Sequence, residues 1–273
     1  MADSRPAVRA GAVKLGAFAG FALALAGPAA GGPPLAGRSA PVLTARPSVV
    51  NATLASGETK LANGAVAYRP KSLPAGPAPL LVLLHGAGGY PIGFLQAMEP
   101  VADRLGLVLL YPHSRGQTWD FILNMSMDRD PWRGRDGQLL DQSLADLFSR
   151  SSIDPHRVVL LGFSDGASYA LSLGVANPQL FSAVVALSPG IFVAADRSDR
   201  RQRVFVAHGR SDRVLSFSNT SETIVPELRG EGVNLRFRPF AGDHQIDPEA
   251  LTEGLEFAFG LQATVPPPTS APK

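Results

Sequence analysis

The chain has no cysteine among its 273 residues, which excludes disulfides, thiolate metal sites, a cysteine nucleophile and a lipid anchor on cysteine. It also lacks a surplus of charge. The formal net charge of +2 is already supplied by Arg5, Arg9 and Lys14 against Asp3, so the remainder is neutral. A neutral body without a clustered Lys/Arg stripe lacks what binding to a phosphate backbone requires, and nucleic acid is not expected as a partner. No strong metal-ligand cluster stands out, and no G-x-G-x-x-G element follows a strand, so neither metal nor cofactor is expected.

A hydrophobic run long enough to span a bilayer is missing as well. The apolar stretch Leu15–Ala26 is about half the length that a crossing helix needs. Preceded by Arg5, Arg9 and Lys14 and followed by small residues and Pro28, it reads as a secretory signal over residues 1–30, cleaved near residues 26 to 32. An exported protein, periplasmic or secreted, is therefore expected, with no stable membrane insertion after cleavage. Residues 31–63 are rich in Gly, Pro and Ala and read as a linker, and residues 261–273 read as a disordered Pro-rich tail. A catalytic domain is expected over residues 64–260.

Within that domain, short apolar runs bounded by Gly, Pro or Asp recur at Ala65–Tyr68, Leu80–Leu84, Leu107–Tyr111, Val158–Gly162, Ala183–Leu187, Val204–Ala207 and Leu235–Arg238. Most are continuously apolar, as strands are when both faces of a parallel sheet are covered. Between them Gly93–Leu105, Leu139–Arg150, Gly166–Ala176, Ser218–Arg229 and Pro248–Phe259 space their apolar residues by three and four, the pattern of amphipathic helices. The alternation predicts an α/β protein with a doubly wound, mostly parallel sheet and helices on both faces. Its chemistry belongs in loops at the carboxyl ends of strands.

Gly162-Phe163-Ser164-Asp165-Gly166 fits G-x-S-x-G, a strained strand-to-helix turn that lifts a serine hydroxyl above the sheet. The five letters are weak alone. Here a buried strand, Arg157–Leu161, precedes them and a helix, Ala167–Leu173, follows, as the turn requires. A serine needs a base to take its proton, and the base needs a third group to orient it. His244 is the single histidine after the last strand, and Asp212, in the loop after Val204–Ala207, completes the order Ser, Asp, His. His208 ends that strand, where packing or a local hydrogen bond is expected, and His113 and His156 precede the serine. Asp243 adjoins His244 and reads as a turn former, while Asp196 and Asp199 sit in a charged surface run.

A tetrahedral oxyanion needs two preorganised donors. One is the N–H of Asp165, after the serine; the second is expected from Ala87 in His85-Gly86-Ala87-Gly88-Gly89, a glycine-rich turn after Leu80–Leu84. His85 and Gly86 are expected at the substrate. The connection from Tyr111 to Gly137 holds Trp119 and Phe121, expected either to line an apolar wall beside the serine or to pack the loop onto the body. No other insertion is long enough for a large lid, which favours small to medium esters.

These elements resemble the phospholipase/carboxylesterase branch of the α/β-hydrolase superfamily and, more loosely, polyhydroxybutyrate-depolymerase-like esterases. The likeness is carried by Leu84-His85-Gly86, the serine motif, His208-Gly209-Arg210-Ser211-Asp212-Arg213-Val214 and Asp243-His244. It implies serine-dependent hydrolysis of small-molecule carboxylic esters without a cofactor. Asp165 departs from the acyl-thioesterase members, which usually carry Gln there, and cysteines common in secreted depolymerases are absent. A peptidase, thioesterase or acyltransferase on the same three residues, or a hydrolase-fold module that only binds ligands or partners, remains the alternative. Oligomeric state is open.

Overall fold

A computed structural model describes residues 39–50, 53–89, 92–194 and 198–261. The signal and the Pro-rich tail expected from the sequence lie outside those residues, apart from Leu261. Eight strands form one sheet: β1 (Gly57–Lys60), β2 (Val66–Arg69), β3 (Ala78–Leu84), β4 (Val108–Tyr111), β5 (Ile153–Phe163), β6 (Ala183–Leu187), β7 (Arg203–Gly209) and β8 (Asn234–Phe240). Their order is β1-β2-β4-β3-β5-β6-β7-β8. β1 and β2 pair antiparallel and β2 joins β4 antiparallel; every later pairing is parallel.

Side chains alternate across a pleated strand, so each central strand feeds two cores. Leu80, Val82 and Leu84 of β3, with Val158 and Leu160 of β5 and Val204 and Val206 of β7, point to one face. Leu81 and Leu83, Val159 and Leu161, and Phe205 and Ala207 point to the other. The first face is covered by α3 (Asp136–Arg150), through Leu140, Leu144 and Leu147, and by α4 (Asp165–Val175). α1 (Ile92–Leu105) and α7 (Pro248–Phe259) cover the second, through Phe94, Leu95, Met98, Leu251 and Leu255. α7 begins where its Asp247 side chain accepts the N–H of Ala250 and Pro248 starts the first turn.

The stretch expected as one helix over Ser218–Arg229 is in three pieces: α5 (Phe217–Asn219), a π-helical turn (Thr220–Ile224) and α6 (Val225–Gly230). Two elements went unforeseen: β1, whose Gly57-Glu58-Thr59-Lys60 alternates half-buried and exposed with no apolar run, and α2 (Asp120–Ser126).

The linker reading fails for its described part. Leu43, Ala45, Leu54 and Leu61 are buried in the core. The strap is pinned by polar side chains of the body: Asn177 Oδ1 accepts the N–H of Leu43, and Asp141 accepts the N–H groups of Thr44 and Ala45 and the Thr44 hydroxyl. Composition cannot register partners that lie about a hundred residues away.

Candidate active site

Ser164 follows β5, Asp212 follows β7 and His244 follows β8, so all three stand at the carboxyl edge of the parallel sheet. Ser164 has φ 57° and ψ −121°, left-handed backbone that a non-glycine residue adopts at a cost. The turn is held closed by its neighbours. A Cβ on Gly162 would strike the backbone of Gly166, and one on Gly166 would strike the carbonyls of Leu84 and His85. Ser164 N–H donates to the Leu187 carbonyl at 2.9 Å, which ties the turn to β6.

Ser164 Oγ lies 2.9 Å from His244 Nε2, and His244 Nδ1 lies 2.8 Å from Asp212 Oδ2. With Nδ1–H donating to the carboxylate, Nε2 is free to accept the serine proton. The Phe163 ring backs the imidazole at 4.9 Å between centroids. The loop that carries His244 is clasped from outside. Arg213 donates its backbone N–H and guanidinium to Asp243, which also accepts the N–H of His244. Asp243 thus shapes this turn while Asp212 faces the imidazole.

The Asp212 side chain is fully buried. Burial alone would push its carboxyl up, but hydrogen bonds from His208, His244 and the Leu215 N–H prevail and hold it well below the usual carboxylate range. Its Oδ1 accepts the N–H groups of Val214 and Leu215 at 2.9 and 2.8 Å, and its Oδ2 takes both histidines. The expected local hydrogen bond of His208 is therefore made to Asp212 itself.

Gly86 lies against the serine: a Cβ there would stand 3.2 Å from Ser164 Cβ. Asp165 N–H sits at the first position of α4, where no intrahelical acceptor exists. The glycine turn is braced by Gln117, whose carbonyl accepts the N–H groups of Gly88 and Gly89 at 2.9 and 2.8 Å. Thr118, which the sequence did not single out, donates its hydroxyl to Asp165 Oδ2 at 2.6 Å. Burial pushes the Asp165 carboxyl up, against that bond and the nearby His244.

Three residues expected at the substrate are placed elsewhere. His85 is 1% exposed, with Nδ1–H donating to the Gly86 carbonyl and Nε2 accepting the N–H of Ser114. Burial lowers its pKa, in keeping with a neutral ring, and both nitrogens are occupied. Trp119, also 1% exposed, stacks on His85 at 4.7 Å and donates Nε1–H to the His85 carbonyl. Phe121 packs against Tyr169 and Trp132 and borders a cavity of about 250 Å³ that none of Ser164, Asp212 and His244 lines. These rings are buried because they wedge the connection after β4 under the glycine turn; of the two roles open to Trp119 and Phe121, packing is the one the fold adopts.

Among the described residues, no group of three or more His, Asp or Glu is placed to hold a metal ion, and no helix is long and apolar enough to cross a membrane. An oxygen whose proton has a half-buried, carboxylate-oriented acceptor at hydrogen-bond distance is equipped for nucleophilic attack on an acyl carbon.

Parts of the chain are similar to known esterases. Residues 136–258 match the model of the phospholipase/carboxylesterase family. A bifunctional acetylxylan esterase/xylanase of Neocallimastix patriciarum is 30% identical over 159 residues, 55% of this chain and 21% of that protein. An acetylxylan esterase of Coprinopsis cinerea is 30% identical over 123 residues, 42% of this chain and 32% of its own length. The chain spans less than half the length of these curated relatives. The crystal structure of the Bacillus cereus carboxylesterase superposes with a TM-score of 0.53 at 20% identity, covering 72% of this chain and 94% of the other. Residues 136–258 are thus similar to the phospholipase/carboxylesterase family, on a chain whose fold is that of the α/β-hydrolases.

Proposed function

We propose that this chain is a serine hydrolase of small to medium carboxylic esters, with Ser164 as nucleophile, His244 as general base and Asp212 as the carboxylate that orients it. The observation that carries the reading is the unbroken chain from Ser164 Oγ through the His244 ring to Asp212, with links of 2.9 and 2.8 Å. Ser164 Oγ attacks the acyl carbon while its proton passes to His244 Nε2. Charge that builds on the former carbonyl oxygen is met by the N–H groups of Ala87 and Asp165. Collapse of the tetrahedral adduct expels the alcohol, which leaves with the proton from His244. Water then attacks the acyl-enzyme, gives a proton to His244, and releases the acid as that proton returns to Ser164 Oγ.

The names of the two curated relatives above favour carboxylic esters, and both specify acetyl esters. Assay of p-nitrophenyl acetate and butyrate beside a thioester and a peptide, together with fluorophosphonate labelling, tests the reading. Turnover of the esters and loss of both turnover and label in Ser164→Ala are expected; undiminished labelling of Ser164→Ala would overturn it. We also propose export, on the residues 1–30 that the structure does not describe. A mature chain beginning near residues 27 to 33 outside the cytoplasm is the expected result of N-terminal mass spectrometry, and an intact N-terminus on cytoplasmic protein would refute it.

A further inference from the structure

We propose that His208 is a positioning residue of the hydrolytic site: a second, fully buried imidazole that donates to the same Asp212 oxygen as His244 and sets how strongly that oxygen engages the base. The proposal rests on the roles assigned above to Ser164, Asp212 and His244.

His208 Nε2 lies 2.9 Å from Asp212 Oδ2 and 3.0 Å from the Leu215 carbonyl. Both neighbours are acceptors, so Nε2 carries a hydrogen whatever the state of the ring. His244 Nδ1–H points at the same Oδ2 from the other side, at 2.8 Å. Asp212 therefore receives four N–H donors, two on each oxygen, which is about the capacity of a carboxylate. A carboxylate so filled has no freedom to turn, and its Oδ2 divides its accepting power between two imidazoles.

The other side of the ring is built with equal care. Nδ1 lies 2.7 Å from Thr220 Oγ1, and that hydroxyl lies 3.0 Å from the Pro189 carbonyl. Thr220 is fully buried at the start of the π-helical turn, and π-turns of this kind often sit at functional sites. The Phe217 ring meets His208 edge-on at 6.0 Å. A core histidine kept only for packing would not need its carboxylate partner to be the one that faces Ser164 through His244.

Removing the His208 donor leaves Oδ2 to His244 alone. The carboxylate then draws the His244 proton more strongly, so the imidazolium forms at higher pH. The sign is the same if His208 is itself charged, because its loss removes a like charge. The other charged groups around the cluster are Asp165 at the start of α4, the Arg213–Asp243 pair on the rim and Arg210 over the Phe217 ring, and all are untouched by the substitutions proposed.

The test compares His208→Gln, whose amide reaches about as far as Nε2, with His208→Asn, whose amide reaches only about as far as Nδ1, and with His208→Phe, using ester turnover against pH. His208→Asn and His208→Phe are expected to lose about 10- to 100-fold in kcat with KM within about twofold, the worth of one hydrogen bond to a charged group. Their acid limb should move to higher pH, and His208→Gln should restore most of both. Should His208→Phe not fold, the Asn and Gln pair decides alone. Asn and Gln variants with equal kcat, or wild-type kcat and acid limb in every folded variant, would overturn the proposal. If instead the wild type is inert on all esters, or Ser164→Ala retains turnover, the reading of the serine site fails first.

Discussion

Gly209, the last residue of β7, lies directly beneath the chain at Asp243: a Cβ added to it would stand 2.5 Å from the Asp243 carbonyl oxygen and 2.5 Å from that of Gly242. Two strand-end loops, one bearing Asp212 and the other His244, are therefore seated against each other through a missing side chain. Ser211 N–H to the Gly242 carbonyl, at 2.9 Å, secures the same contact.

Gly209→Ala should lift the His244 loop away from Asp212. A misplacement near 1 Å can cost on the order of 100-fold in turnover, and overpacking costs about 1–3 kcal/mol of stability. Ester turnover and thermal unfolding measured side by side check this. Wild-type turnover in Gly209→Ala would mean that the loops can part without disturbing the base.

Ser164 holds its φ of 57° because Gly162 and Gly166 leave the turn no other course. Glycine tolerates that backbone and alanine does not, so Ser164→Gly should unfold later than Ser164→Ala, by about 1 kcal/mol, although both are expected to lack activity. Calorimetry of the two inactive variants is the measurement. The reverse order of stability would show that the turn carries no strain.

Asp212 and Asp243 both hydrogen-bond to His244 and should respond differently to substitution. Asp212→Asn is expected to slow ester turnover by up to about 10⁴-fold with substrate binding kept, because the amide no longer stabilises the imidazolium. Asp243→Asn keeps an oxygen for the N–H groups of Arg213 and His244 and should cost less than about tenfold. Steady-state kinetics on both variants decide it; a larger loss in Asp243→Asn would move the acid role to Asp243.

Glu99, on α1, has its carboxyl raised from 4.5 to about 7, first by burial and then by hydrogen bonding to and repulsion from Glu58, with Asp103 adding to it. A carboxyl raised in the fold favours folding while protonated. That contribution is complete below about 4.5 and is lost as pH rises through about 7. Glu99→Gln should therefore be the more stable protein at pH 8 and lose that advantage by pH 4. Melting curves across this range check the sign, and an unchanged pH dependence would refute it.

The parallel strands were legible because burial on both faces leaves runs such as Ala183–Leu187, which matches β6 end to end. Pro248–Phe259 likewise carries its own start, an Asp247 cap and a proline, and matches α7. β1 and the strap of residues 39–50 left no such trace. β1 is an edge strand with one half-buried face, and the strap is held by Asp141 and Asn177 rather than by apolar periodicity.

Chain order and residue type were enough to put Ser164, Asp212 and His244 forward as candidates that the fold brings together, because a serine elbow requires a strand before it and a helix after it, and the later loops offer few partners. What those residues touch was decided by tertiary structure alone. Trp119, Phe121 and His85 carry the same chemistry in a cleft as in a core, and only the closing of the loop after β4 beneath the glycine turn buries them. His208 and Thr220 are ordinary residues in the sequence. They come to lie beside Asp212 because β7 and the π-helical turn bring a ring nitrogen of His208 to each of two partners, Asp212 and Thr220, and hydrogen bonds of under 3 Å are set by packing that no local pattern encodes.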